Sequence, residues 1–81
     1  MKKTARFSGY EREGIYLIDR MDAAHRAAGD YLEEVDPSSE SVASAADWLE
    51  ALEYGEYDWE DAEIRAQAWE TADWLIEYCR H

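Results

Sequence analysis

Apolar residues recur every three or four positions along most of the chain, which is the spacing of one face of an α-helix. The pattern predicts three helices, over about residues 9–34, 38–54 and 58–79. Short connections between amphipathic helices favour an up-down-up arrangement, so we expect an all-α fold made of a small three-helix bundle. The apolar stripe of the first helix consists of Leu17, Ile18, Met21, Ala24, Ala28, Tyr31, Leu32 and Val35.

The start of the first helix is open to two interpretations. Ser8 followed by Glu11 matches a capping box, which predicts a helix from about residue 9. Gly14 weakens a helix, however, and the run from Ile15 to Ile18 is rich in β-prone residues. The alternative is a short irregular or β segment near the N-terminus, with the helix beginning nearer Gly14.

The second and third helices have recognisable start signals. Asp36 suits an N-cap and Pro37 the first helical position, whereas Gly55 is a good terminator. Asp58 is the expected cap of the third helix, and Glu60 and Asp61 would then occupy its first turn. The predicted inner stripe of the second helix is Val42, Ala45, Leu49 and Leu52, flanked by Trp48. That of the third is Ile64, Ala68, Ala72, Leu75 and Cys79, widened by Trp69 and Ile76.

Length and composition indicate one folded domain over residues 1–81, with a basic segment at residues 1–8. Apolar residues make up 47% of the chain and aromatic residues 14%, which is far more than acidic disordered segments contain. A single cysteine excludes an internal disulfide framework, and no stretch approaches the ~20 apolar residues of a membrane span. We therefore expect a cytoplasmic protein.

Charge is the most unusual property of the chain, with a formal net charge of −12 at pH 7. Between Asp47 and Glu63 there are eight carboxylates and no Lys or Arg. Like charges at this density repel one another and destabilise a compact state. We therefore expect that a basic partner, a salty environment or a need for solubility offsets this repulsion or makes use of it. Such a surface is also repelled by anionic membranes and by the phosphates of nucleic acids, which argues against direct binding to either.

Groups that could carry out catalysis are few. The two histidines, His25 and His81, are too scattered for a metal cage, and Cys79 falls on a predicted core stripe, where thiols are usually inert. No Gly-rich phosphate loop is present. We therefore expect no enzymatic activity, no cofactor and no metal.

The residue pattern of the third helix predicts a binding surface, because its carboxylates cover one side of the helix and its apolar residues cover the other. Trp74 and Tyr78 fall on or beside the acidic side, and aromatic residues are typical anchors of protein interfaces. Steps of three or four residues separate successive carboxylates by roughly 4.5–6 Å, comparable in order to the ~3.4 Å between charges on one DNA strand. The predicted partner-binding residues are Asp47, Glu50, Glu53, Glu56, Asp58, Glu60, Glu63, Glu70, Asp73, Trp74, Glu77 and Tyr78.

In size, acidity and aromatic content the chain resembles small phage-type anti-CRISPR and anti-restriction proteins that mimic DNA. The resemblance is one of composition and rests on no shared motif. It implies an acidic inhibitor that occupies a basic nucleic-acid-binding surface of a defence complex, as a monomer or homodimer, in the cytoplasm of a bacterial host cell.

Two alternatives remain open. One is a helical protein–protein interaction module or antitoxin-like regulator that docks through Trp and Tyr. The other is a salt-adapted acidic domain whose charge is not a binding surface, since the chain has only two lysines and both lie at the N-terminus. Folding that requires molar salt would favour the second alternative, whereas stable folding in dilute buffer would count against it.

Overall fold

The computed structural model describes residues 10–55, 58 and 60–80. Three helices follow a short antiparallel hairpin: β1 (Glu11–Arg12), β2 (Ile15–Tyr16), α1 (Leu17–Glu34), α2 (Glu40–Glu53) and α3 (Ala62–Tyr78). The predicted all-α bundle, with a short β segment near the N-terminus, is confirmed.

The hairpin explains why α1 begins at Leu17. Glu11 pairs with Tyr16 and Arg12 with Ile15, which leaves a two-residue turn. Both turn residues have positive φ, 52° at Glu13 and 80° at Gly14, as a tight hairpin turn of this length requires. Of the two interpretations, the helix start at about residue 9 is therefore wrong and the later start, after a short β segment, is confirmed, because the chain reverses direction before the helix begins. The capping-box residue Ser8 lies outside the described residues.

The caps of α2 and α3 lie three residues later than predicted. Ser39 caps α2, where its hydroxyl accepts a hydrogen bond from the Val42 N–H. Asp36 instead accepts hydrogen bonds from the N–H and hydroxyl of Ser38, so it forms a turn before the helix. Asp61 is the N-cap of α3.

Asp58 plays the corresponding role before α3. Its carboxylate accepts a hydrogen bond from the Glu60 N–H at 2.9 Å, and its carbonyl accepts one from the Asp61 N–H. Asp58 and Glu60 therefore form a turn that precedes α3, and the expected placement of Glu60 and Asp61 in the first helical turn is wrong.

The core lies where the three predicted stripes meet. Large side chains with almost no exposure include Leu17, Met21, Leu49, Leu52 and Leu75, and each contributes about 1.5–3 kcal/mol through burial. Ile64, Ile76 and Cys79 are partly buried against this core, as are Leu32, Ala45 and Trp48. Two predicted stripe residues of the first helix, Ile18 and Val35, lie outside it and are 46% and 55% exposed.

Contacts along the helices set their directions. Asp22 on α1 lies beside Glu53 at the end of α2, as expected for antiparallel neighbours joined by a short turn. Arg20 contacts Asp73, and Tyr31 contacts Tyr78, so α1 and α3 run in the same direction. The helices therefore follow the predicted up-down-up order, and Glu63, Glu70 and Glu77 on the side of α3 that faces away from the core are exposed.

Candidate functional site

One side of α3 carries three exposed carboxylates in a line. Glu63, Glu70 and Glu77 are seven residues apart, which places each about 10.5 Å from the next along the axis. Seven residues are nearly two full turns, so the three side chains project in similar directions. Together with Gln67 and Trp74, which are also exposed, they define the outer face of α3. This line is sparser than the predicted carboxylate spacing, because residue 67 is a glutamine and Asp73 does not belong to the line.

Asp73 is instead bound to α1. Its Oδ1 accepts a hydrogen bond from Arg20 Nε at 2.8 Å, and both side chains are partly exposed. This ion pair links two helices and neutralises one of the predicted site residues. Asp73 therefore has a structural partner within the fold, which the sequence pattern alone does not reveal.

Few of the described carboxylates form an ion pair with another described residue. Between described residues there is one further ion pair, from Arg80 Nη1 to Glu77 Oε2 at 3.8 Å, and both of its side chains are largely exposed. Exposed pairs of this kind contribute little. Two other arginines lie over aromatic rings: Arg12 over Trp69 and Arg65 over Tyr10. The two ion pairs, Arg20–Asp73 and Arg80–Glu77, include neither Glu63 nor Glu70. The basic residues of the first nine positions lie outside the described residues.

An aromatic pair lies at the C-terminal end of the outer face of α3. Trp74 and Tyr78 stack with ring centroids 4.9 Å apart and planes 15° apart. They are 42% and 44% exposed, as the helical pattern predicts for residues outside the core stripe. Tyr78 also packs at a tilt against the buried Tyr31, with centroids 5.5 Å apart. A hydrogen bond with Tyr78 raises the pKa of Tyr31, since it favours the neutral phenol.

The predicted site residues on α2 differ in exposure. Asp47 and Glu50 are exposed, whereas Glu53 is partly buried beside Asp22 of α1. Desolvation raises the pKa of Glu53, and a hydrogen bond with Asp22 and the charges of Asp22 and Glu50 raise it further. His25 acts in the opposite direction. Glu53 and its neighbours thus form a separate carboxyl cluster where α1 meets α2.

The remaining predicted residues lie before α3. Asp58 and Glu60 are exposed in the turn that precedes Asp61, and Glu56 falls outside the described residues. The eleven described members of the predicted set are therefore divided among α2, this turn and α3.

A groove between α2 and α3 adds a residue that the prediction omitted. Trp48 of α2 lines it together with Gln67, Glu70 and Thr71 of α3, around a volume of about 300 Å³. Glu70 therefore borders both the groove and the outer face of α3. In the sequence, Trp48 flanks the apolar stripe of α2, and this position indicates a residue at the edge of the core.

Metal-ligating and nucleophilic side chains are the remaining features of the described residues that bear on chemistry. They contain no group of three or more His, Cys, Asp or Glu side chains arranged to hold a metal ion. Burial raises the pKa of the Cys79 thiol, which keeps it protonated and poorly nucleophilic.

Within the part of the chain that the structure describes, no helix combines the length and the apolar character needed to cross a membrane. The chain matches no protein-family model, no curated protein and no solved structure.

Proposed function

We propose that this chain is a small acidic inhibitor that binds a basic, nucleic-acid-binding surface of a partner protein in place of nucleic acid. Lys and Arg side chains that would meet phosphates would instead meet the carboxylates of the outer face of α3. The partner is a bacterial defence complex of the kind that anti-CRISPR and anti-restriction proteins inhibit, which places the chain in the cytoplasm of a bacterial cell.

The observation that carries the proposal is the line of exposed carboxylates on α3. Glu63 and Glu70 belong to neither of the ion pairs between described residues, and Glu77 has only a long, exposed contact with Arg80. Self-repulsion of these groups is relieved when a cationic surface approaches, so the stored electrostatic energy favours association with a basic partner.

The geometry of the line supports a nucleic-acid mimic. Its step of about 10.5 Å is close to three phosphate intervals of ~3.4 Å along one DNA strand. The line is held rigid because the opposite side of α3 contributes Ala68, Trp69, Ala72 and Leu75 to the core. A rigid array loses little conformational entropy on binding, which favours affinity.

A second candidate is a helical interaction module that docks through its aromatic residues. The exposed stack of Trp74 on Tyr78 favours it, since such rings are common anchors at interfaces. The two candidates differ in their response to salt. A complex formed through carboxylates weakens as ionic strength rises, whereas one formed through apolar contact changes little.

An affinity capture from bacterial lysates that contain defence complexes tests the proposal. The bait is the full chain, compared with a triple variant of the outer face of α3: Glu63→Lys, Glu70→Lys and Glu77→Lys. We expect the wild-type chain to retain a nucleic-acid-binding complex and the triple variant to lose it.

The matched control reverses three exposed carboxylates near the end of α1: Asp30→Lys, Glu33→Lys and Glu34→Lys. It changes the net charge by the same amount on a different surface. Loss of capture in both triple variants would assign binding to net charge, and retention in the α3 variant would exclude its outer face as the binding surface.

A further inference from the structure

The end of α3 carries a rigid aromatic pair that is open to solvent. Trp74 and Tyr78 are one helical turn apart, and their ring centroids are 4.9 Å apart. Tyr78 also packs against Tyr31, which is 9% exposed. The three rings therefore form a continuous series from the core to the surface. Because Tyr31 and Tyr78 support it, the Trp74 ring is held in place before any ligand arrives.

Carboxylates lie on both sides of this pair. Glu70 precedes Trp74 by four residues and Glu77 follows it by three, and residues at these spacings are neighbours on a helix surface. Both carboxylates are exposed. The combination of a ring face and adjacent negative charges is complementary to a planar cation, which can stack on the ring while its N–H groups reach the carboxylates.

The fold already contains this kind of contact elsewhere. The guanidinium carbon of Arg12 lies 4.8 Å from the Trp69 ring centroid, and that of Arg65 lies 4.7 Å from the Tyr10 ring centroid. A second copy of the chain is a poor occupant for the aromatic pair, since each copy carries a net charge of −12.

We propose that Trp74, Tyr78, Glu70 and Glu77 form a receptor for an arginine side chain of the partner. The inference rests on the proposed function and specifies the chemistry that the binding surface prefers. Arginine is favoured over lysine because its guanidinium is planar, weakly hydrated and able to donate to two carboxylates, whereas the lysine ammonium is a compact, strongly hydrated charge. The groove beside Glu70 leaves room for the chain that carries the arginine.

Two peptides of equal length and charge, six arginines or six lysines, test this receptor by calorimetry with the full chain at fixed ionic strength. We expect the arginine peptide to bind more tightly to the wild-type chain. In Trp74→Leu, which keeps an apolar side chain but removes the ring, that advantage should fall by about two- to fivefold, the magnitude of one exposed cation–π contact. Trp74 is outside the core, so this variant keeps the fold.

Tyr54→Leu is the matched control, because Tyr54 is also an exposed aromatic residue, 76% accessible, but lies at the end of α2. It should leave the arginine preference unchanged. An equal loss in Tyr54→Leu, or an undiminished preference in Trp74→Leu, would overturn the receptor.

The same titrations separate the receptor from the proposed function. If both peptides bind the wild-type chain equally and Glu70→Gln weakens both, the receptor is wrong and the acidic binding function stands. If neither peptide binds at low salt, both proposals fail. Tighter binding of a neutral leucine-rich peptide than of either cationic peptide would assign the aromatic pair to an apolar partner.

Discussion

The carboxyl cluster at the α1–α2 contact predicts that Glu53→Gln stabilises the protein at neutral pH. Glu53 is partly buried next to Asp22, and one Glu53 oxygen, Oε2, is buried and has no hydrogen-bond partner. When both groups are ionised, two carboxylates therefore repel each other in a partly desolvated place. Glutamine has the same shape, removes the repulsion and supplies an N–H that can donate to Asp22.

The magnitude follows from the kind of contact that is gained. A hydrogen bond to a charged group contributes about 1.5–3 kcal/mol when it is shielded from water. Glu53 is only partly buried, so we expect a smaller gain of about 1 kcal/mol in the free energy of unfolding. In a domain of this size that corresponds to a rise of about 4–8 °C in Tm.

The gain should depend on pH. The pKa of Glu53 is raised above its ordinary value of 4.5, so the folded state holds this proton more tightly than the unfolded state. The contribution of Glu53 to the free energy of unfolding of the wild-type protein therefore increases as pH falls from neutral through the folded-state pKa. In that window protonated Glu53 donates as glutamine does, and the advantage of Glu53→Gln shrinks.

Urea unfolding followed by circular dichroism, repeated at several pH values, measures this effect. Asp47→Asn is the matched control, since it removes one charge from an exposed position of the same helix, and Asp47 is not among the charges that raise the pKa of Glu53. Equal stabilisation by the two variants would assign the effect to net charge. A gain in Glu53→Gln that stayed constant from pH 7 to below the ordinary pKa would refute the carboxyl pair as its cause.

Urea unfolding can also check three further predictions, on two glycines, on one ion pair and on one core residue. Gly29 lies within α1 with open space around it, so Gly29→Ala should stabilise the protein by about 0.5–1 kcal/mol. Gly55 has a φ of 83°, which favours glycine, so Gly55→Ala should destabilise it by about 1 kcal/mol. The opposite order would contradict this dependence on backbone conformation. A double-mutant cycle on Arg20 and Asp73 should give a coupling energy of about 0.5–1 kcal/mol, and a value near zero would mean that the pair is fully screened. Leu75→Ala should cost about 2–5 kcal/mol, and a loss below 1 kcal/mol would mean that Leu75 is not in the core.

The apolar pattern was sufficient to predict the bundle because each helix buries one stripe. Ala68, Ala72 and Leu75 are buried as expected, and Trp74 and Tyr78 are exposed as expected. A period of 3.6 residues fixes these relations without knowledge of the neighbouring helices.

The element boundaries were harder to predict because the local signals compete. The hairpin turn is Glu13–Gly14, which lacks the Asn or Asp that usually marks such turns, so the sequence leaves both a helix and a short β segment open at this point. Before each of the second and third helices, the sequence contains two residues that could cap the helix, three positions apart. Ser39 and Asp61 form the caps, whereas Asp36 and Asp58 form the preceding turns.

The binding surface was less predictable than the fold because it depends on tertiary contacts. The α3 wheel places Glu63, Glu70 and Glu77 on the side away from the core, where the structure has them. It does not reveal that Arg20 pairs with Asp73, or that Glu53 faces Asp22. Those pairings join residues that are far apart in sequence, and no local pattern specifies them.

The central claim is that carboxylates on the outer face of α3 take the place of phosphates on a basic partner. Displacement of labelled duplex DNA from the captured complex, measured at two ionic strengths, tests it most directly. We predict that the wild-type chain displaces the DNA, more effectively at low salt, and that Glu63→Lys, Glu70→Lys and Glu77→Lys together abolish displacement. A complex that binds the chain and duplex DNA at the same time would contradict the claim.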